Sequence, residues 1–524
     1  MPLSNLEAGA QPLAMFQLPT KGVWKNISAH LIAPDALADV NNMFLFKGKL
    51  RTRPGMTDMT ASYGTPSANV ILGGAFFIGG AGNARMTVAS RTECREAIGI
   101  PGAFATTSTG TYAANDNKLI EFDVLFEGTS IRGVMADNAS ALLHWSPGGT
   151  GFTTITPSQG TVPSNVQSLC IVAQRVLCLI AGGGNASYAQ DTLVWSAVND
   201  HTGWPALAYA PANATQDIGT CVRQLGSIGA AVYKKRSIYV VRARAGTDAS
   251  AFSLSEPFKA EGPAGPHALV AIEGRHLYMT ENGRIGMFDG TRYPIWFADH
   301  LWQYLQEDID HNYSYKILGV YSYRHKCLIF FYPRLSDATG RLVGMVMITI
   351  PPIEQAADPL LQSAAFLGVT ANPPTFGLTV YGANDQPQTL LFDILKRSVY
   401  LDDASINDVD TFFSGYLQTP LQPIPGLVTQ QINVEAFLER AAGYGTVQLA
   451  LVTSNMLESL LGTVSTAQAV NLTQTPVREY YGFNIPTRFA GIRITFASNT
   501  GRPMYAGAGL YGRTTLPNGP PGRG

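Results

Sequence analysis

The feature that most limits what this chain can fold into is how its apolar residues are cut up. Runs of four to eight strand-forming residues are bounded repeatedly by Gly, Pro, Asn or Asp, which is the punctuation of strands and turns. One phrase recurs: a basic residue, a short strand-forming run, then a polar or Gly turn. It appears as ARMTVAS at Ala84, NKLIEFD at Asn117, QRVLCLIAGGG at Gln174 and KRSIYVVRAR at Lys235, then as GRHLYMTENGRIGMFDG at Gly274 and RHKCLIFFYP at Arg324. Most spacings fall between thirty and sixty residues, near the length of a four-stranded propeller blade. The clearest hairpin is LYMTENGRIGMFDG, where Asn282-Gly283 predicts a tight turn with positive φ at both central residues. The fold class predicted is all-β: a β-propeller with an additional C-terminal antiparallel β-sandwich and a few inserted short helices. A string of sandwiches or a β-solenoid is the alternative.

One helix interrupts the strands. In ADHLWQYLQEDIDH, Asp299 is placed to cap the N-terminus, and Leu301, Trp302, Leu305 and Ile309 share a face at helical spacing. A second short helix is expected near Asn455, with Glu458 as its capping-box partner. After Gln418 a Pro-rich junction leads into longer alternating runs, the pattern of a separate sandwich. The organisation expected is an N-terminal arm and strand over 1–60, a propeller-like domain over 61–417 with a helical insertion near 299–311, a sandwich over 418–512, and a flexible tail over 513–524.

Composition then excludes several function classes. Charged residues are 14% of the 524 and the formal net charge is −1, and Lys and Arg form no cluster of the kind tight nucleic-acid binding requires. So little charge predicts much surface buried against other copies or partners. No apolar run reaches the length of a membrane helix, so no membrane insertion is expected. Five unspaced cysteines and an N-terminus without a basic and apolar leader predict folding in a reducing cytoplasm.

Catalytic motifs are missing: no nucleophile elbow, no HExxH, no P-loop. IGGAGNAR has Arg85 where a dinucleotide fold needs its third glycine, and reads as a hairpin turn. The eight histidines are scattered, with His267 and His276 flanking one strand pair and no carboxylate at ligand spacing. Asp308 and Asp310, and Asp402, Asp403, Asp408 and Asp410, are acidic loops without the glycine punctuation of a calcium loop. SAVNDHTGWP holds Ser196, Asp200, Gly203 and Trp204 in the order of a stretched Asp box, the one pointer to a carbohydrate-binding or glycosidase propeller. No metal ligand, cofactor or catalytic residue is assigned, and the chain is expected not to be an enzyme.

The stretch NNMFLFKGKLRTRPGM places Lys47, Lys49, Arg51 and Arg53 on alternate residues ahead of Pro54-Gly55. Alternation sends all four to one strand face, toward carboxylates, solvent or a second subunit. Gly48 to Gly55 (GKLRTRPG), VWSAVNDHTGWP with Trp195 and Trp204, the KKRSIYVVR strand, the segment from Gly265 to Asp289-Gly290, and GVYSYRHKCLIFFYP occur in this order. Together they resemble the tail hub or nozzle proteins of short-tailed bacteriophages (tubular tail protein B, or packaged-DNA stabilisation hub). The resemblance implies a structural virion protein in a homohexameric ring below the portal–adaptor complex. It would retain packaged DNA, conduct it through the lumen without sequence-specific binding, and anchor tail fibres or spikes, after assembly in the host bacterial cytoplasm. Lys49, Arg51, Arg53, Pro54, Gly55, Trp195, Trp204, Asp289 and Gly290 would be its subunit-interface or motif residues.

Overall fold

The computed structural model describes residues 11–25, 27–78, 84–113, 115–137, 140–147, 151–180, 187–350, 363–381, 386–402, 407–424, 429–439, 446–456, 461–471, 477–483, 487–496 and 504–514. Over these the fold is all-β, with six four-stranded antiparallel sheets and a seventh, six-stranded one, all resembling propeller blades. Their first strands are Ile71–Ile78, Glu121–Glu127, Val166–Val172, Gly219–Leu225, Leu269–Ile272, Leu318–Ser322 and Pro374–Tyr381, about 50 residues apart. In each, the second and third strands follow the first in sequence, so almost every pairing inside a unit is local. In the sixth sheet, Cys327–Tyr332 (CLIFFY) is buried along its whole length. A strand covered on both faces needs a continuous apolar run, and an alternating one would leave polar groups unsolvated.

Apolar clusters lie between successive sheets. Leu72, Ala89, Met135 and Trp145 join the first to the second; Leu125, Val134, Leu169 and Val194 join the second to the third. Val88, Met86, Phe376 and Phe392 join the seventh to the first. First strands pack on their neighbours, and Pro374–Tyr381 packs on Ile71–Ile78. The seventh unit takes its fourth strand from far upstream: Ser398–Asp402 pairs with Gly55–Asp58.

Polar side chains also link non-adjacent sheets. Arg223 of the fourth sheet pairs with the Glu121 carboxylate of the second, whose Oε1 also lies 3.2 Å from His267 Nε2. The His267 ring lies 5.2 Å from that of Phe376 in the seventh sheet, and Lys316 Nζ donates to Asn117 Oδ1 at 2.6 Å. Burial opposes ionisation of Glu121, but Arg223 and His267 outweigh it and hold the carboxyl down at about 2.

Two further sheets combine both chain ends. One runs Met43–Phe46, Lys49–Thr52, Met504–Thr514, Thr429–Glu439, Val477–Phe483, with Gln11–Phe16 also on Met504–Thr514. The other contains Asp39–Asn41, Gly415–Gln418, Phe489–Phe496 and Thr446–Ser454.

Several local expectations are corrected. Asn282-Gly283 is not a two-residue turn: only Gly283 has positive φ, at 79°, and Thr280 and Arg284 close a longer loop. The true two-residue geometry, positive φ at both centres, occurs at Lys47-Gly48, Ala173-Gln174 and Glu273-Gly274. The helix spans Asp299–Asp308 with Ala298 as its cap residue at φ 56°, so Asp299 is its first helical residue and caps nothing. Leu301 and Leu305 are buried, whereas Trp302 lies outside their face with Arg284 over its ring. The helix expected near Glu458 and the tail over 515–524 lie outside the described residues, as does the Gly79–Asn83 turn.

Candidate metal centre

Glu127, Asp200 and His201 bring ligand atoms within 4.8 Å of one another. Glu127 ends the first strand of the second sheet, at the Gly128 hairpin. Asp200 and His201 lie in the loop between Thr192–Trp195 and Tyr209–Pro211 of the third sheet. Asp200 Oδ1 accepts from the Thr202 N–H at 2.8 Å and the Thr202 hydroxyl at 2.6 Å, and Oδ2 accepts from Ser158 Oγ at 3.0 Å. Burial opposes ionisation of Asp200, but these bonds and the Gly203 N–H hold its carboxyl below the usual range. Ser196 Oγ accepts from the Val176 N–H, and buried Trp204 donates its indole N–H to His201 O at 3.0 Å. The stretched Asp box is thus a turn scaffold that presents His201.

From there His201 reaches the second sheet. Its backbone N–H donates to Glu127 Oε1 at 2.7 Å, and Nδ1 lies 2.5 Å from the same oxygen. Its Nε2 lies 2.5 Å from His144 Nδ1. Burial, with His201 and Arg132 nearby, holds the His144 imidazole below its ordinary value, in the neutral form. Imidazole nitrogen with two carboxylates is a donor set suited to Zn²⁺ and related divalent ions. Two ligands on one tetrahedral ion stand roughly 3.4 Å apart, so holding an ion would require Glu127 to draw back slightly from His201 Nδ1.

The sequence readings missed His201 and Glu127. SAVNDHTGWP contains Asp200-His201, but Glu127 lies in another sheet, and only the packing of second on third brings it in. The flat expectation of a chain with no candidate catalytic or metal site is corrected: Glu127, Asp200 and His201 form a group of ligand atoms that could hold a metal ion.

The other predicted positions sit elsewhere. Lys47 is in a turn, so the four basic residues do not share one face. The Lys49–Thr52 strand pairs with Met43–Phe46, and the Arg51 guanidinium lies over the Phe46 ring at 4.0 Å. Arg53 is fully buried and doubly bonded to Asp408, Nη1 to Oδ1 at 2.8 Å and Nη2 to Oδ2 at 2.6 Å. Pro54 O accepts from Arg53, and Gly55 pairs with Asp402. Trp195 is buried and donates to Asp248 O. Asp289 closes its turn on Thr291, while Gly290, at φ 80°, lies where a Cβ would strike Leu225. Of the acidic loops, Asp308 is held by Arg334 and Tyr332, Asp310 accepts from the Asn312 N–H, and Asp403 lies outside the described residues.

No family model and no curated protein matches the chain. Among solved structures it is similar to BBS1N in complex with ARL6DN, at 11% identity and TM-score 0.40 over 68% of this chain and 99% of that one. It is also similar to BamB from Moraxella catarrhalis, at 9% and 0.32 over 67% and 98%. Chaetomium thermophilum Raptor gives 11% and 0.33 over 75% and 29%. None of these is a bacteriophage tail protein, and likenesses this distant carry no function across. The tail hub or nozzle assignment is therefore withdrawn. With it go the homohexameric virion ring, the portal–adaptor, fibre and spike partners, the virion location and the DNA lumen. Among the described residues, no helix is long and apolar enough to cross a membrane.

Proposed function

We propose that this chain is a metal-binding β-propeller: seven blades closed by the Gly55–Asp58 strand, carrying a β-sandwich made from both chain ends. Contact between the first and last sheets supports the closed ring. The ring serves as a rigid frame, and its functional element is a divalent ion held by Glu127, Asp200 and His201. One observation carries this reading. Two adjacent sheets direct a carboxylate each, plus an imidazole, to one point, from positions over seventy residues apart in sequence. Three protein donors leave a coordination position for water, which such an ion activates or exchanges for an oxygen ligand. His144, against the far nitrogen of His201, is the partner that fixes the ring orientation of a ligating histidine.

The test is metal content and calorimetric titration of the purified full chain with Zn²⁺ and Mn²⁺. One ion per chain is expected, with binding lost in Glu127→Gln and His201→Ala and weakened about tenfold or more in His144→Ala. A wild-type protein that takes up neither ion overturns the reading and leaves the trio a hydrogen-bonded brace.

A further inference from the structure

The second-to-third-strand turns of the fourth and fifth sheets and the segment joining those sheets enclose a groove of about 460 Å³. That size falls within the range of small-molecule sites. Lys235 and Arg236 come from the fourth-sheet turn, Glu281 from the fifth, and Lys259 and Glu261 from the joining segment. Lys235 is committed to Glu281 at 2.8 Å. Arg236 and Lys259 are exposed, and neither side chain enters an ion pair among the described residues. Glu261 adds a carboxylate whose Oε2 is buried and has no hydrogen-bond partner. A buried carboxylate oxygen left without a donor costs free energy that a bound donor recovers.

We infer that this groove binds an α-amino-acid zwitterion, an acidic one best, with the ligand ammonium on Glu261 and its carboxylates on Arg236 and Lys259. The charges select this class. Three cations and two carboxylates leave the lining at net +1, so a bare cation is repelled, while a simple anion leaves Glu261 unanswered. A ligand with one ammonium and two carboxylates satisfies both and has the complementary net charge. This inference is independent of the proposed metal centre.

The test is calorimetric titration of the full chain, in chelator-treated buffer, with L-glutamate, glutarate and pentylamine. Glutamate is expected to bind about tenfold or more tightly than glutarate, which lacks the ammonium, or pentylamine, which lacks the carboxylates. Glu261→Gln is expected to lose about tenfold in glutamate affinity. The exposed Arg236→Ala, which leaves folding untouched, should lose several-fold. Equal affinity for glutamate and glutarate, wild-type affinity in Arg236→Ala, or no binding up to about 10 mM overturns the inference.

Discussion

The seven blade-like sheets and the two end-built sheets use the same strand chemistry over opposite sequence distances. Within the fifth sheet, Leu269–Ile272 pairs with Arg275–Met279 across a two-residue turn. In the end-built sheets, Gln11–Phe16 pairs with Met504–Thr514 and Asp39–Asn41 with Gly415–Gln418. Short turns set register early at small entropic cost, whereas pairings across most of the chain must be held by something specific. That something is the joint at Arg53, between the Lys49–Thr52 strand of one region and the Gly55–Asp58 strand of the other. Besides Asp408, its guanidinium donates to Asn42 Oδ1 and to Val369 O in the sixth sheet, and it lies 3.7 Å from the Phe413 ring centroid. Asp408 also accepts from Thr370 Oγ1 and the Ala371 N–H.

The contrast is broken most directly at that joint. Arg53→Met strands a fully buried carboxylate and is expected to cost about 3–5 kcal/mol in urea unfolding, with Arg53→Met/Asp408→Leu recovering much of the loss. A cost below about 1 kcal/mol means the regions are not pinned there. Next in size is a test inside the blade-like sheets. His276 accepts from Tyr233 OH at Nδ1 and donates from Nε2 to Gln224 O, and burial, with Arg223 nearby, holds its value down at about 4. The native ring is neutral, so the unfolded chain takes up the proton first. Stability is full above the ordinary value of 6.5 and falls as pH drops from there toward 4. Wild type should lose about 2–3 kcal/mol between pH 7 and 4.5 beyond the loss in His276→Gln. Parallel pH curves for the two proteins would contradict this. The smallest effect is expected at Lys21–Asp35, 3.1 Å apart with the lysine half exposed. Lys21→Ala should change stability by less than about 1 kcal/mol; a larger loss would mean that the N-terminal segment is pinned at its surface as well.

The blade-like pattern was legible because hairpin signals are local. CLIFFY at Cys327 announces itself within a few residues. The Glu127–Asp200–His201 group was not, since Asp200 and His201 are adjacent but Glu127 arrives through the packing of one sheet on the next. Arg53 was visible as part of an alternating basic run, yet alternation assumes an unbroken strand, and the turn at Lys47 breaks it. The carboxylate that claims Arg53 lies 355 residues downstream, beyond the reach of any local pattern.

The strand Gly55–Asp58 leaves the ribosome early, but its partner Ser398–Asp402 emerges some 340 residues later. At cellular elongation rates of about 5–20 residues per second, that is a wait of roughly 20–70 s. Throughout it, six units can assemble one by one while an unpaired edge stays available to any passing strand. Nascent-chain quality, more than the finished architecture, is where this molecule is most exposed to failure.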